Sequence, residues 1–184
     1  MKDTLNRFLQ LTPYFLSAAI IGALVFAWVP VLAGRSDIAD ILGRKIVEAG
    51  GYPDNAASVI GWTLHIAIAV AYVKVYAFLI ALPGFPRDSG PRLPAGLVVA
   101  VIVGWLTTWL ANPAISVAVS LLSGQGWPAE LAPVYFKLGL PLWNHLGFFA
   151  IAWLVVVVVP ALVQPAGQTR PAPRQATLRQ ARTA

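Results

Sequence analysis

The sequence predicts an all-α integral membrane protein: four transmembrane helices arranged as two hairpins, plus a short interfacial helix. Three observations carry that prediction. Four apolar stretches are each long enough to cross a hydrocarbon layer, which takes about 20 helical residues. Hydrophobic residues make up 58% of the chain and charged ones only 11%, where a soluble domain is about 25% charged. The charges sit mostly between the apolar stretches and in the C-terminal tail. A chain this poor in polar groups cannot cover a water-facing surface, so lipid is its solvent. Its 184 residues suit one membrane domain, 1–165, followed by a basic tail, 166–184.

The first 11 residues are polar and basic, with Lys2 and Arg7. The first span follows over 12–33. It is read as a span and not a signal peptide, because its apolar run is too long for a signal h-region and Tyr14, Trp28 and Pro30 mark interfacial ends. Ala18 and Gly22, and Ala19 and Ala23, are small residues four apart, which let another helix approach closely. Residues 34–55 connect to the next span and carry a helix of their own. Ser36 is the expected N-cap, Asp37 and Asp40 suit the first turn, and Arg44 and Lys45 come late. Ile38, Ile41, Leu42 and Ile46 recur at helical spacing, which predicts an amphipathic helix at the interface. Gly50, Gly51 and Pro53 end it.

The second span covers 57–82 and is stopped by Pro83, Gly84 and Pro86. The third covers 93–111 and is expected to end before Asn112 and Pro113. Gly96, Ala100 and Gly104 give it a close-packing stripe. Residues 114–122 are apolar but too short to span, so they are either a helical continuation or a re-entrant piece. A loop over 124–140 holds Trp127, Tyr135 and Lys137. The fourth span covers 141–163. Its valines 155–159 are β-branched and would argue for a strand in water. In hydrocarbon a lone strand cannot satisfy its backbone, so a helix is expected.

Four spans put both termini on one side. That side holds Lys2, Arg7, Arg87, Arg92, Arg170, Arg174, Arg179 and Arg182, against Arg35, Arg44, Lys45 and Lys137 on the other. The excess predicts cytoplasmic termini. The tail has no acidic residue, and anionic lipids are its expected partner; nucleic acid is not expected, since the net charge of +6 lies at membrane edges.

Three ionisable groups lie within the spans: His65, Lys74 and His145. The second and fourth spans run in the same direction, and the depths of the two histidines differ by roughly 6 Å or less. Each follows a tryptophan in the preceding span at nearly equal separation (Trp28 for His65, Trp109 for His145), an echo that suggests a duplicated hairpin. Two neutral imidazoles on facing helices suit axial ligation of a haem b. They also suit hydrogen bonds to carbonyls, hydroxyls or water inside the bundle, or a proton-carrying site. No cysteine exists and no carboxylate lies within the spans to complete a bare metal site. Lys74 is nine residues from His65, about 180° round the helix, so the two cannot share a site. It can snorkel to the near surface, or meet an anionic partner, with Tyr72, Tyr76, Thr107, Thr108 and Asn144 as polar neighbours. Asn144, beside His145, is a candidate for orienting a ligand, or else caps its helix, as Asn112 would. No phosphate-binding glycine loop, HExxH or nucleophile elbow is present, so hydrolase and kinase chemistry find no support.

Gly61-Trp62-x-x-His65, Pro94-Ala95-Gly96-Leu97, Asn112-Pro113 and Asn144-His145-Leu146-Gly147-Phe148, spread over 12–163, resemble the pattern of the YagU-like small four-helix proteins of bacterial inner membranes, families of unknown function. The resemblance implies the fold, the inner-membrane location and the pairing of the two histidines. It implies no activity, and the arginine-rich tail has no place in it. The expectation is a non-enzymatic accessory or envelope component that contacts another membrane protein or itself. A bis-histidine haem b electron-transfer protein and a proton-linked small-molecule carrier are the alternatives.

Overall fold

The computed structural model describes residues 2–134 and 136–163, the side chains of 3, 7 and 89 excepted. Tyr135 and the basic tail lie outside the described residues. The described residues are helical with connecting turns: α1 Lys2–Leu32, α2 Ile38–Gly50, α3 Ala57–Ala81, α4 Ser89–Leu122, α5 Leu140–Trp153, a π turn Leu154–Val158 and α6 Val159–Val163. Four helical stretches are long and apolar enough to cross a membrane: Thr4–Leu32, Asp54–Ala81, Gly90–Leu122 and Leu140–Val163. Between 28% and 39% of their apolar windows is buried within the chain, so most of that surface faces outward. This is the construction of a multi-pass membrane protein, whose solvent is lipid.

α1 packs antiparallel to α3 and to α5, and α4 packs antiparallel to α5. α3 and α5 run parallel, meeting through Tyr72, Tyr76, Phe148 and Phe149. The core between them holds Phe15, Ala18, Ala19, Val73, Tyr76, Phe149, Val156 and Val157. Lipid tails are as apolar as leucine, so close packing and hydrogen bonds, not burial from water, hold such helices together. The small residues singled out in the sequence are where the packing is tightest. Phe148 lies over Gly22, and Gly96 and Gly104 face Trp153 and Leu146.

The helices depart from the sequence reading in four places. α1 begins at Lys2 and not near residue 12. Phe8, Leu11 and Phe15 continue its inward stripe at helical spacing, and Phe8 reaches Phe78 near the end of α3. The N-cap of α2 is Asp37, not Ser36: its carboxylate accepts from the Ala39 backbone amide at 2.9 Å. α4 continues through Pro113 to Leu122, which selects the helical continuation over the re-entrant piece. At 34 residues it is about 51 Å long, against a hydrocarbon layer of ~30 Å, and its turns past Pro113 form one rim of the bundle. The valine run is helical as expected, but with a π turn. Pro160 follows and has no amide to offer the carbonyl four residues back, and the widened turn accommodates this.

α2 lies across this rim, with Ala39, Leu42, Gly43, Ile46 and Val47 buried. Its ties are both local and long-range. Arg44 pairs with Asp40 on its own surface. Tyr52 donates to the Leu122 carbonyl at 3.0 Å, and Gln125 Nε2 to the Ala49 carbonyl at 3.0 Å, so the ends of α2 and α4 share their terminal carbonyls' partners. At its crossing with α3 the backbones nearly touch. A Cβ on Gly43 would stand 1.8 Å from the Ala57 carbonyl oxygen, and one on Gly61 2.0 Å from that of Ala39. Ala39-x-x-x-Gly43 and Ala57-x-x-x-Gly61 therefore form a reciprocal seam of small residues.

Candidate functional site

His65 and His145 are both buried, at 9% and 5% exposure, against the same stretch of α1. His65 Nε2 lies 3.0 Å from the Ala23 carbonyl oxygen, which makes it the protonated, donating nitrogen. His145 Nδ1 lies 2.8 Å from the Pro141 carbonyl oxygen, one turn earlier in its own helix. The Phe26 ring contacts both imidazoles, with centroids at 5.6 Å to His65 and 4.9 Å to His145. Trp62 meets His65 edge to face at 5.7 Å, and Tyr72 flanks His145 at 6.3 Å. The sequence argument put the two histidines at one depth on parallel helices, and they do meet one turn of α1 between them.

Asn144 answers a problem set by Pro30. In a helix the Phe26 carbonyl accepts from the amide four residues on, but Pro30 has none. Asn144 Nδ2 approaches that carbonyl at 3.4 Å from α5. A neighbouring helix thus re-satisfies a carbonyl freed by proline. The Asn144 Oδ1 atom is buried with no hydrogen-bond partner among the described residues. Other span polar groups also turn to main-chain carbonyls. Tyr76 donates to Gly96 and Trp153 Nε1 to Leu93, each at 3.0 Å. Thr107 and Thr108 bond back to Val103 and Gly104 of their own helix.

A haem does not fit these residues as they are folded. Bis-axial ligation needs a porphyrin between the two rings, and Phe26 stands against both. His65 would also have to give up the Ala23 carbonyl to present the same nitrogen to iron. Among the described residues no group of three metal-ligating side chains is present.

Lys74 is exposed on the side of α3 away from His65, as the helical angle requires. None of the polar neighbours considered for it, Tyr72, Tyr76, Thr107, Thr108 or Asn144, forms a hydrogen bond to it.

The structure adds a site that the sequence reading did not assemble. A cleft of about 810 Å³ opens at the rim between α2, the far end of α4 and the following loop. Lys45, Asn112, Ser116, Ser120, Gln125 and Trp127 line it, with Ile115 and Val119 as apolar wall. Asn112, Ser116 and Ser120 fall four apart on one face of α4, a stripe visible in the sequence once 112–122 is known to be helical. Ser120 donates to the Gly126 carbonyl at 2.8 Å and folds the loop over the cleft. Asn112, expected as a cap at the end of its helix, is instead an exposed mid-helix residue in this wall.

No family model, curated protein or solved structure matches the chain. Its function is therefore read from the residues.

Proposed function

We propose that the chain is a non-enzymatic accessory protein of a bacterial inner membrane, which works by holding other membrane components. In this reading α1 with α3 and α4 with α5 are two hairpins, α2 lies at the outer interface, and both termini are cytoplasmic. One observation carries the proposal. The hydrogen bonds of the histidines, tyrosine, threonines and tryptophan within the spans go to main-chain carbonyls, whereas the polar cleft and the lone lysine are presented outward. Polar groups so arranged hold a bundle together and offer no reacting pair. The excess of basic residues on the side of the termini supports the orientation. The resemblance to the YagU-like families is in keeping with it.

The test uses the full chain in its native membrane, with a photo-reactive residue in place of Asn112 at the rim cleft. The expected result is a discrete adduct with one membrane component. The purified protein is expected to show no Soret band and no sharp reduced α and β bands. A dithionite-reduced haem spectrum that disappears in His65→Ala or His145→Ala would overturn the proposal in favour of electron transfer. Proton-driven uptake of a solute into liposomes would overturn it in favour of a carrier.

A further inference from the structure

The outward face of α3 carries Thr63, Ala67 and Ala71 at every fourth position, all exposed, with Lys74 in the next turn. Ile66, Val75 and Phe78 flank them at 38%, 51% and 49% exposure. Stripes of the same kind elsewhere in the chain are buried at helix crossings. Ala19 and Ala23 face the core, Ala100 with Gly96 and Gly104 faces α5, and Ala39 with Gly43 meets Ala57 with Gly61. Small residues at this spacing let two helix backbones approach, and here the surface is apolar and uncovered.

Lys74 is the second observation, and it is of a different kind. It stands seven residues before the end of α3, about 10 Å along the axis. Side chains on a helix lean towards its N-terminus, which for Lys74 is away from the nearer membrane surface and towards the middle of the bilayer. Snorkelling to the near surface would run against that lean. Among the described residues Lys74 has neither a hydrogen bond nor an ion pair. A charge left in hydrocarbon is costly and normally finds an opposite one. The chain's seven acidic residues are Asp3, Asp37, Asp40, Glu48, Asp54, Asp88 and Glu130, and all lie at span ends or in connections. A second copy therefore offers Lys74 no carboxylate from inside a span.

We infer that Thr63, Ala67, Ala71 and Lys74 form a docking face for a transmembrane helix of another protein that carries an Asp or Glu at the depth of Lys74. The inference rests on the accessory reading and names the chemistry of its partner. The small residues set how closely the helices approach, and the ion pair sets their register.

The test places the labelled full-length protein in phosphatidylcholine vesicles with synthetic Leu–Ala helices of about 20 residues. These carry one Asp at the matching depth, or Leu in its place, and association is read by energy transfer. The Asp helix is expected to bind about tenfold more tightly than the Leu helix. Lys74→Met should abolish that preference, Lys74→Arg should keep it, and Ala71→Leu should weaken binding by blocking the approach. Equal binding of the two helices would overturn the inference, and so would an Asp preference that survives Lys74→Met. Loss of the preference when phosphatidylglycerol is added would show that lipid phosphate is the counter-charge, and would overturn it too. The rim adduct at position 112 is read separately, so failure of the docking face and failure of the accessory reading remain distinguishable.

Discussion

His65 and Lys74 stand nine residues apart on α3 and meet opposite surroundings. His65 faces inward, donates to the Ala23 carbonyl and is wedged between Phe26 and Trp62. Lys74 faces outward among Ala71, Val75 and Phe78 with no partner among the described residues. The same helix thus has one face whose polar group is completed by its own chain and one whose polar group is not. The difference separates two roles that an ionisable residue can hold in a membrane. The inward group contributes to the fold, and substituting it should cost stability. The outward group contributes little to the fold, and substituting it should cost association.

The comparison breaks most severely where the inward face has no side chain at all. Gly61→Val or Gly43→Val would drive a side chain into a backbone carbonyl of the partner helix. The expected loss is about 3 kcal/mol or more in detergent unfolding, with α2 released from α3. Unchanged stability would mean that α2 does not pack on α3 in the membrane. Next comes His65→Ala, which deletes a hydrogen bond and two ring contacts and should cost about 2–3 kcal/mol by the same measurement. A cost near zero would remove the distinction between the two faces. Asn144→Leu should cost about 1 kcal/mol. It strands the Phe26 carbonyl, yet it also removes the unpartnered Oδ1, and the two effects oppose. The double variant with Pro30→Ala tests this directly, because an amide at position 30 gives Phe26 its own helical partner, and the cost of Asn144→Leu should then vanish. Lys74→Met should have the smallest effect on the isolated protein, within about 0.5 kcal/mol. A large loss of stability there would place Lys74 among the groups that hold the bundle together.

Much of this was legible in the chain. Apolar length and scarcity of charge gave four spans, and a nine-residue separation put His65 and Lys74 on opposite faces, because helical rise and rotation are fixed by the backbone. The stripe Gly96, Ala100 and Gly104 was readable as a packing surface for the same reason. Ala39 with Gly43 and Ala57 with Gly61 have the same spacing, but neither stripe alone says which helix it meets. The apolar stretch 114–122 leaves a helical continuation and a re-entrant piece both open, because proline usually ends a helix, and the alignment of Asn112, Ser116 and Ser120 on the cleft wall follows only from the first.

The sequence by itself determined the class of protein, the order and approximate extent of its helices, and which residues share a helical face. These follow from hydrophobicity, length and a fixed helical period, all local properties. Only the tertiary structure decided what each face meets. It set Phe26 against both histidines, gave Asn144 the carbonyl that Pro30 had left open, and left Thr63, Ala67, Ala71 and Lys74 uncovered. In lipid the apolar pattern does not tell a helix which side to bury, because both sides are equally at home in hydrocarbon. Close packing and unmet hydrogen bonds between distant segments make that choice.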